Sequence, residues 1–175
     1  MELRCNGNYF KEFCKEINKY TDNVHELNLG ANIEDINKAE LDLKIKFPKR
    51  FIEFLQICNG GYLYPPAGPL IFSVFTNMQD DKNVGRYLNY LRNAKEFVFC
   101  INNDYLPIAE TSYGDIICLD LANNDMVDPP VVTFDHELGE FNISFNDIKE
   151  WLSNEMANCF YFKNYDGTDK EVSTI

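Results

Sequence analysis

The sequence lacks the features by which several function classes are recognised. No segment approaches the roughly 20 consecutive apolar residues that a membrane-spanning helix requires. The first residues, MELRCNGNYFKEF, contain no apolar segment of the kind that secretory signals carry. Neither GxxxxGKS/T nor GxGxxG occurs, so the usual phosphate-binding loops are missing. From these gaps we expect a cytoplasmic protein that does not contact membranes and has no nucleotide cofactor.

Histidine is scarce, and the cysteines are not arranged as ligands. The chain has two histidines, His25 and His136, and six cysteines without a CxxC pair. Because a metal site needs clustered ligands, we expect no metal and no cofactor. Most of the cysteines lie in apolar runs, which favours reduced, buried thiols over a disulfide framework. If their strands pair, Cys118 and His136 could act as a nucleophile and its base. Cys118 lies in an apolar strand, however, where the pKa of a thiol rises and its reactivity falls. We therefore expect no enzyme, unless a deep pocket holds both residues.

Basic residues are missing from a long part of the chain. Residues 1–100 contain 13 Lys/Arg and 13 Asp/Glu, whereas residues 101–175 contain 3 and 15, so the whole net charge of −12 belongs to the second part. Between Lys95 and Lys149 there is no Lys or Arg at all. An acidic surface repels nucleic acid and attracts a basic protein. The alternative is that these carboxylates only keep the protein soluble.

What the sequence does contain predicts one α+β domain over residues 1–175. The stretch LPIAETSYGDIICLDL (106–121) reads as an apolar entry, a turn at Gly114-Asp115, where Asp115 can hydrogen-bond its own backbone, and a strand over 116–121. Val131–Glu137 reads as the next strand, and we expect the hairpin of these two strands in the middle of the sheet. Asn32 and Asn146 are suitable helix N-caps, and Asn59-Gly60-Gly61 is a typical helix C-terminus.

Strands and helices occur in clusters, not in βαβ alternation, which favours a mostly antiparallel mixed sheet of about six strands with helices packed against it. An aromatic stripe over residues 8–20 predicts an extra N-terminal helix. We expect a C-terminal tail after residue 157, whose last residues are loosely held.

Several short motifs in order resemble the SMI1/KNR4 family of the SUKH superfamily, from about Asn32 to Met156. The matching segments are Ile36 with Ala39-Glu40, Lys46-Phe47-Pro48, Asn59-Gly60-Gly61, Leu106–Ala109, Gly114-Asp115, Leu119-Asp120, VVTFDHE at 131–137 and Ser144–Leu152.

The resemblance implies a non-catalytic α+β domain. In bacterial members it implies an immunity protein that neutralises a cognate toxin, often a nuclease, of a polymorphic or contact-dependent system. Fungal members are instead regulators of cell-wall synthesis. The motif residues read as groups that maintain the fold: Glu40, Pro48, Gly60, Gly61, Gly114, Asp115 and His136.

The leading hypothesis is a bacterial immunity protein that binds a basic toxin domain, with a regulatory or scaffold module of the SMI1/KNR4 kind as the alternative. The oligomeric state and the identity of the toxin stay open. Acidic side chains would steer the partner, and two aromatic residues would anchor it. The candidate partner-binding residues are Asp104, Tyr105, Glu110, Tyr113, Asp120, Asp125, Asp128, Asp135, Glu137 and Glu140.

Overall fold

A computed structural model describes residues 2–5, 7–74, 83–93, 104–122 and 126–171. These ranges hold five helices and seven strands. In chain order they are α1 (Lys11–Ile17), β1 (Glu26–Leu29), α2 (Ile33–Leu43), α3 (Lys49–Ile57), β2 (Cys58–Tyr62), β3 (Leu70–Ile71), α4 (Val84–Asn93), β4 (Tyr105–Glu110), β5 (Ile116–Asp120), β6 (Val131–Asp135), β7 (Glu140–Phe145) and α5 (Ile148–Phe162).

The strands form one antiparallel sheet in the order β1-β2-β3-β4-β5-β6-β7. Helices α3, α4 and α5 pack on strands β2, β4 and β7, and α1 packs on α5. The expected α+β class is confirmed. The expected place of the β5–β6 hairpin is wrong, because these strands are fifth and sixth of seven and β4 is central. The difference arises because β1, β2 and β3 come from a part of the chain with weak strand signals.

The glycine pair after α3 was expected to end that helix, but it lies inside a strand. Helix α3 ends at Ile57, and β2 begins at the next residue. Gly60 and Gly61 have φ values of +83° and +113°, which only glycine adopts without strain. A Cβ on Gly61 would lie 2.2 Å from the carbonyl oxygen of Glu26 in β1. The pair is therefore required by close contact between neighbouring strands.

Two helix N-termini show how local side chains set element boundaries. The side chain of Asn32 accepts a hydrogen bond from the backbone N–H of Asp35 at 2.8 Å, so the expected cap of α2 is confirmed. In α5 the cap is Asp147, which accepts from the N–H of Glu150 at 2.7 Å. Asn146, which the sequence suggested as the cap, instead donates to the carboxylate of Glu150.

The core consists of large apolar side chains that the sheet and the helices remove from water. Trp151, Phe51, Phe54, Phe72 and Phe134 are the largest fully buried side chains. Burial of such side chains is the main favourable term in folding, at about 2–3 kcal/mol each. None of the helices in the described part of the chain has the length and apolar character that crossing a bilayer requires.

The N-terminal end of the chain departs from the expectation for its cysteines. Cys5 and Cys14 form a disulfide, with 6.4 Å between their Cα atoms, so the expectation of reduced thiols is wrong for this pair. Cys58, Cys118 and Cys159 are free and buried, and Cys100 lies outside the described residues.

The C-terminal tail is folded as far as residue 170. The backbone N–H of Lys170 donates to the carbonyl of Phe162, and Lys163 pairs with Asp169.

Candidate functional site

The two hairpins β4–β5 and β6–β7 turn at the same end of the sheet, because alternate connections of an antiparallel meander lie on the same side. We call the side chains of this end the hairpin-end surface. A Cβ on Gly114 would lie 3.3–3.5 Å from the ring of His136, so the two turns are in contact. The hairpin-end surface consists of Glu110, Tyr113, Asp115, Asp135, His136, Glu137, Leu138 and Glu140.

Asp115 joins the two turns. Its Oδ1 accepts a hydrogen bond from the backbone N–H of His136 at 3.2 Å and lies 2.9 Å from Nδ1 of the same residue. The sequence had suggested instead that Asp115 bonds to its own backbone. The hydrogen bond to Asp115 raises the pKa of His136, and the nearby charges of Glu137 and Asp135 add to this effect. The pair fixes the relative position of the two hairpin ends.

Three carboxylates of the β6–β7 turn give the hairpin-end surface its charge. The Oδ1 of Asp135 accepts from the N–H groups of Glu137 and Leu138 at 2.9 and 2.8 Å, which orders the turn. Glu137 and Glu140 are exposed. In the described ranges none of these three carboxylates forms an ion pair with Lys or Arg. In the described ranges, therefore, no Lys or Arg neutralises their negative charge, and the imidazole of His136 is a basic group beside them.

Apolar groups lie beside these carboxylates. Tyr113 is 84% exposed at the tip of the β4–β5 turn, and Leu138 is 69% exposed in the β6–β7 turn. Glu110, at the end of β4, accepts a hydrogen bond from the hydroxyl of Tyr87 in α4 at 2.5 Å. Exposed aromatic and aliphatic groups surrounded by charge are typical of protein interfaces.

The structure does not bring all ten candidate residues together. Glu110, Tyr113, Asp135, Glu137 and Glu140 belong to the hairpin-end surface. By register, Asp104, Tyr105 and Asp120 lie towards the opposite end, because Tyr105 pairs with Asp120 and the N–H of Leu121 donates to the carbonyl of Asp104. Tyr105, expected as an exposed anchor, is half-buried and stacks on Phe141 with ring centroids 3.9 Å apart. Asp125 lies outside the described residues.

Asp128 is half-buried and engaged with other parts of the molecule. The hydroxyl of Tyr9 donates to its carboxylate, and the guanidinium of Arg50 lies 4.1 Å from the centre of the Tyr9 ring. Burial raises the pKa of Asp128. The backbone N–H groups of Lys49 and Arg50 donate to the carbonyls of residues 126 and 127, which immediately precede Asp128 in the chain. Asp128 thus helps to attach its loop to the start of α3.

Other motif residues have the structural roles that the resemblance suggested. Glu40 is buried, and its carboxylate accepts from the backbone N–H of Phe47 at 2.7 Å and from Nζ of Lys46 at 2.8 Å. Pro48 is the N-cap residue of α3. These contacts join the end of α2 to the start of α3 and leave neither residue available to a partner.

The arrangement needed for Cys–His catalysis is not formed. Cys118 lies opposite Val132 in the sheet and is fully buried, whereas His136 lies beyond the end of β6 at the surface. Burial raises the pKa of the Cys118 thiol well above its usual range. In the part of the chain that the structure describes, no group of three or more His, Cys, Asp or Glu side chains is arranged to hold a metal ion.

Two features were missed in the sequence. His25 is half-buried, its Nδ1 accepts a hydrogen bond from the backbone N–H of Tyr64 at 3.2 Å, and burial lowers its pKa to about 4. A group of exposed aromatic side chains lies at the end of α5 and in the turn that follows. Only the density of aromatic residues in CFYFKNY signalled it. Its members are Phe160, Tyr161, Phe162 and Tyr165.

Comparison with known proteins agrees with the fold. The model of the SMI1 / KNR4 family (SUKH-1) matches residues 30–154, which is well over half of the chain. The match includes α2, α3 and all strands except β1, and it covers the whole hairpin-end surface. No curated protein matches the chain.

Proposed function

The chain belongs to the SMI1/KNR4 family (SUKH-1), and on that premise we propose that it is a bacterial immunity protein that binds and neutralises a basic toxin domain, of the nuclease type. The family consists of immunity-type or SMI1-like protein-binding modules and is generally non-catalytic. Under this proposal the protein acts in the cytoplasm, and its partner is a protein. Binding would cover the active site of the toxin.

The observation that carries the proposal is the charge of the hairpin-end surface. Asp135, Glu137 and Glu140 lie together and pair with no Lys or Arg of the described ranges, in a chain whose whole excess of negative charge falls after residue 100. A nuclease must hold phosphates and therefore presents basic groups at its active site. Complementary charge speeds association and places the two surfaces in register.

The exposed apolar groups of the same surface supply the contact that charge alone does not give. Tyr113 and Leu138 flank the carboxylates and would be buried by a partner. Burial of a large apolar side chain contributes about 2 kcal/mol, which exceeds the contribution of one exposed ion pair. We infer that carboxylates steer the partner and that Tyr113 and Leu138 anchor it.

Co-expression tests this function. The C-terminal toxin domain encoded by the open reading frame adjacent to the gene is expressed alone and together with this protein. We expect the toxin domain alone to stop growth and this protein to restore it. A neighbour that is harmless, or toxic with no rescue, contradicts the immunity function and favours the regulatory module.

A double variant assigns the surface. Tyr113→Ser with Leu138→Ser removes both exposed apolar groups, and we expect it to lose rescue while remaining folded. The matched control is Leu29→Ser with Leu41→Ser, two side chains that are 73% and 76% exposed elsewhere on the molecule. Equal rescue by both double variants would remove the hairpin-end surface from the proposal.

A further inference from the structure

Strand β7 is an edge strand of the sheet in the described part of the chain. Strand β7 pairs with β6 on one side, and no strand pairs with its other side in the described part of the chain. We propose that this free edge of β7 binds an extended, Lys/Arg-rich segment of the partner protein, which adds to the sheet as a further antiparallel strand. This inference rests on the proposed function and names the mode of binding.

The hydrogen-bond pattern identifies which main-chain groups face outward. The N–H of Asp120 in β5 donates to the carbonyl of Pro130, which makes these two residues a hydrogen-bonded pair. Every second residue pair between β5 and β6, counted from this one, is therefore also hydrogen-bonded. Phe134 therefore bonds to β5, and Asp135 and Thr133 bond to Glu140 and Asn142 of β7. By alternation, the N–H and C=O groups of Phe141 and Ile143 point away from the sheet.

The edge has little of the protection that natural edge strands carry. Its sequence, EFNISF, contains neither Lys nor Pro. The only irregularity is the bulge near Ser144, where the register shifts opposite Val131 and Val132. Charged side chains, Pro and bulges are the usual means of preventing strand addition. The other edge strand, β1, has four residues and a register shift within them, so it offers a shorter template.

Charge decides which kind of segment fits. Glu140 begins the strand, and Asp135 and Glu137 lie in the turn before it. No Lys or Arg occurs from residue 96 to residue 148. An extended segment with Lys or Arg at its ends would place cations beside these carboxylates. A second copy of the chain is disfavoured, since two molecules of net charge −12 repel each other.

Amide exchange measured by NMR on the full-length, 15N-labelled protein tests the proposal directly. The probe is a capped hexapeptide with Lys at both ends and alternating Val and Thr between them. In the free protein we expect the amides of Phe141 and Ile143 to exchange fast and those of Glu140 and Asn142 to be protected. At saturating peptide we expect exchange at Phe141 and Ile143 to slow by about tenfold or more.

Two control peptides separate strand addition from simple charge attraction. The same hexapeptide with Glu at both ends should not bind, because it meets the carboxylates with like charge. A version N-methylated on every residue keeps the charge but loses the main-chain donors of both its edges, and it should not slow exchange. Slowing by the Glu peptide would contradict the preference for a basic segment, and slowing by the N-methylated peptide would contradict strand addition.

A charge reversal with a matched control locates the contact. We expect Glu140→Lys to weaken binding of the basic peptide by roughly fivefold at low salt, and Asp42→Lys, an equal change at an exposed position of α2, to leave it within about twofold. Three results would overturn the proposal: no slowing at Phe141 and Ile143 up to millimolar peptide, protection of these amides in the free protein at all concentrations, or protection that rises with protein concentration alone, which would assign the edge to a second copy. Rescue in the co-expression experiment can persist in each case, so this failure is distinct from failure of the proposed function.

Discussion

His136 shows, at the scale of single residues, how a group at the hairpin-end surface is also a structural contact. Its ring lies against Gly114, and its Nδ1 is 2.9 Å from the carboxylate of Asp115. The same contact that joins the two turns raises the pKa of the imidazole. The protonation state of His136 therefore affects both the net charge of this surface and the attachment of one hairpin to the other.

Replacement of Asp115 tests this coupling. Asp115→Asn keeps an acceptor for the N–H of His136 but removes the negative charge, so we expect the pKa of His136 to fall. NMR titration of the imidazole protons measures it. Asp120→Asn, at the opposite end of the sheet, is the control and should leave that pKa unchanged.

The effect on stability has a definite sign. A folded-state pKa above the unfolded value of about 6.5 gives stabilisation that is complete below the unfolded pKa and is lost as pH rises through the folded pKa. The difference in unfolding free energy between the wild type and Asp115→Asn should therefore shrink as pH rises through that range. A difference that grows with pH would contradict the role assigned to this pair.

Residue chemistry was predictable from the sequence where it depends on near neighbours. Asn32 caps α2 through a residue three positions away, and Gly114 has the positive φ expected of its turn. His25 was not predictable, because its burial depends on Tyr64, which is 39 residues away in the sequence. The same holds for Asp115, whose partner is 21 residues away.

At the scale of elements, the passage from α3 to β2 leaves no room for a side chain at Gly61. Gly61 lies where β1 pairs with β2, and a Cβ there would meet the Glu26 carbonyl at 2.2 Å and the Cα of Leu27 at 2.8 Å. Both neighbours are backbone atoms, so they cannot move aside as a side chain would. In the sequence, this glycine pair cannot be distinguished from a helix C-terminus, since both require residues with positive φ.

We expect Gly61→Ala to destabilise the protein by more than about 2 kcal/mol, because the new Cβ separates β1 from β2 and φ is +113°. Gly7→Ala is the matched control, since a Cβ at Gly7 meets nothing within 4 Å, and its effect should stay within about 0.5 kcal/mol. Chemical denaturation measures both. Similar losses in the two variants would show that β1 is not held as closely as the structure describes.

At the scale of the whole molecule, the order of the strands decides which candidate residues can act together. In an antiparallel meander every second connection lies at the same end, so the turns 111–115 and 136–139 meet, while the connection from β5 to β6 lies opposite. The ten candidate residues were chosen by charge and exposure along the sequence, without this rule. The fold class followed from element order, but the division of the candidates into two groups required the register.

The charge asymmetry has a different meaning once the two ends are separated. Asp128 is half-buried and accepts a hydrogen bond from Tyr9, and burial raises its pKa. Asp135, Glu137 and Glu140 lie beside Tyr113 and Leu138 at the hairpin end. We therefore propose partner binding at this end of the molecule, and we expect electrostatic steering to depend mainly on it.

The most direct measurement is the association rate of this protein with the toxin domain of the adjacent open reading frame, taken by stopped flow from low to high salt. The account predicts that the association rate falls steeply as salt increases. It also predicts that the double variant Glu137→Lys with Glu140→Lys associates about tenfold or more slowly at low salt. Glu34→Lys with Asp42→Lys, an equal charge change on α2, should keep the wild-type salt dependence in the same experiment. Equal rates for both double variants, or a wild-type rate independent of salt, would contradict recognition through the acidic hairpin-end surface.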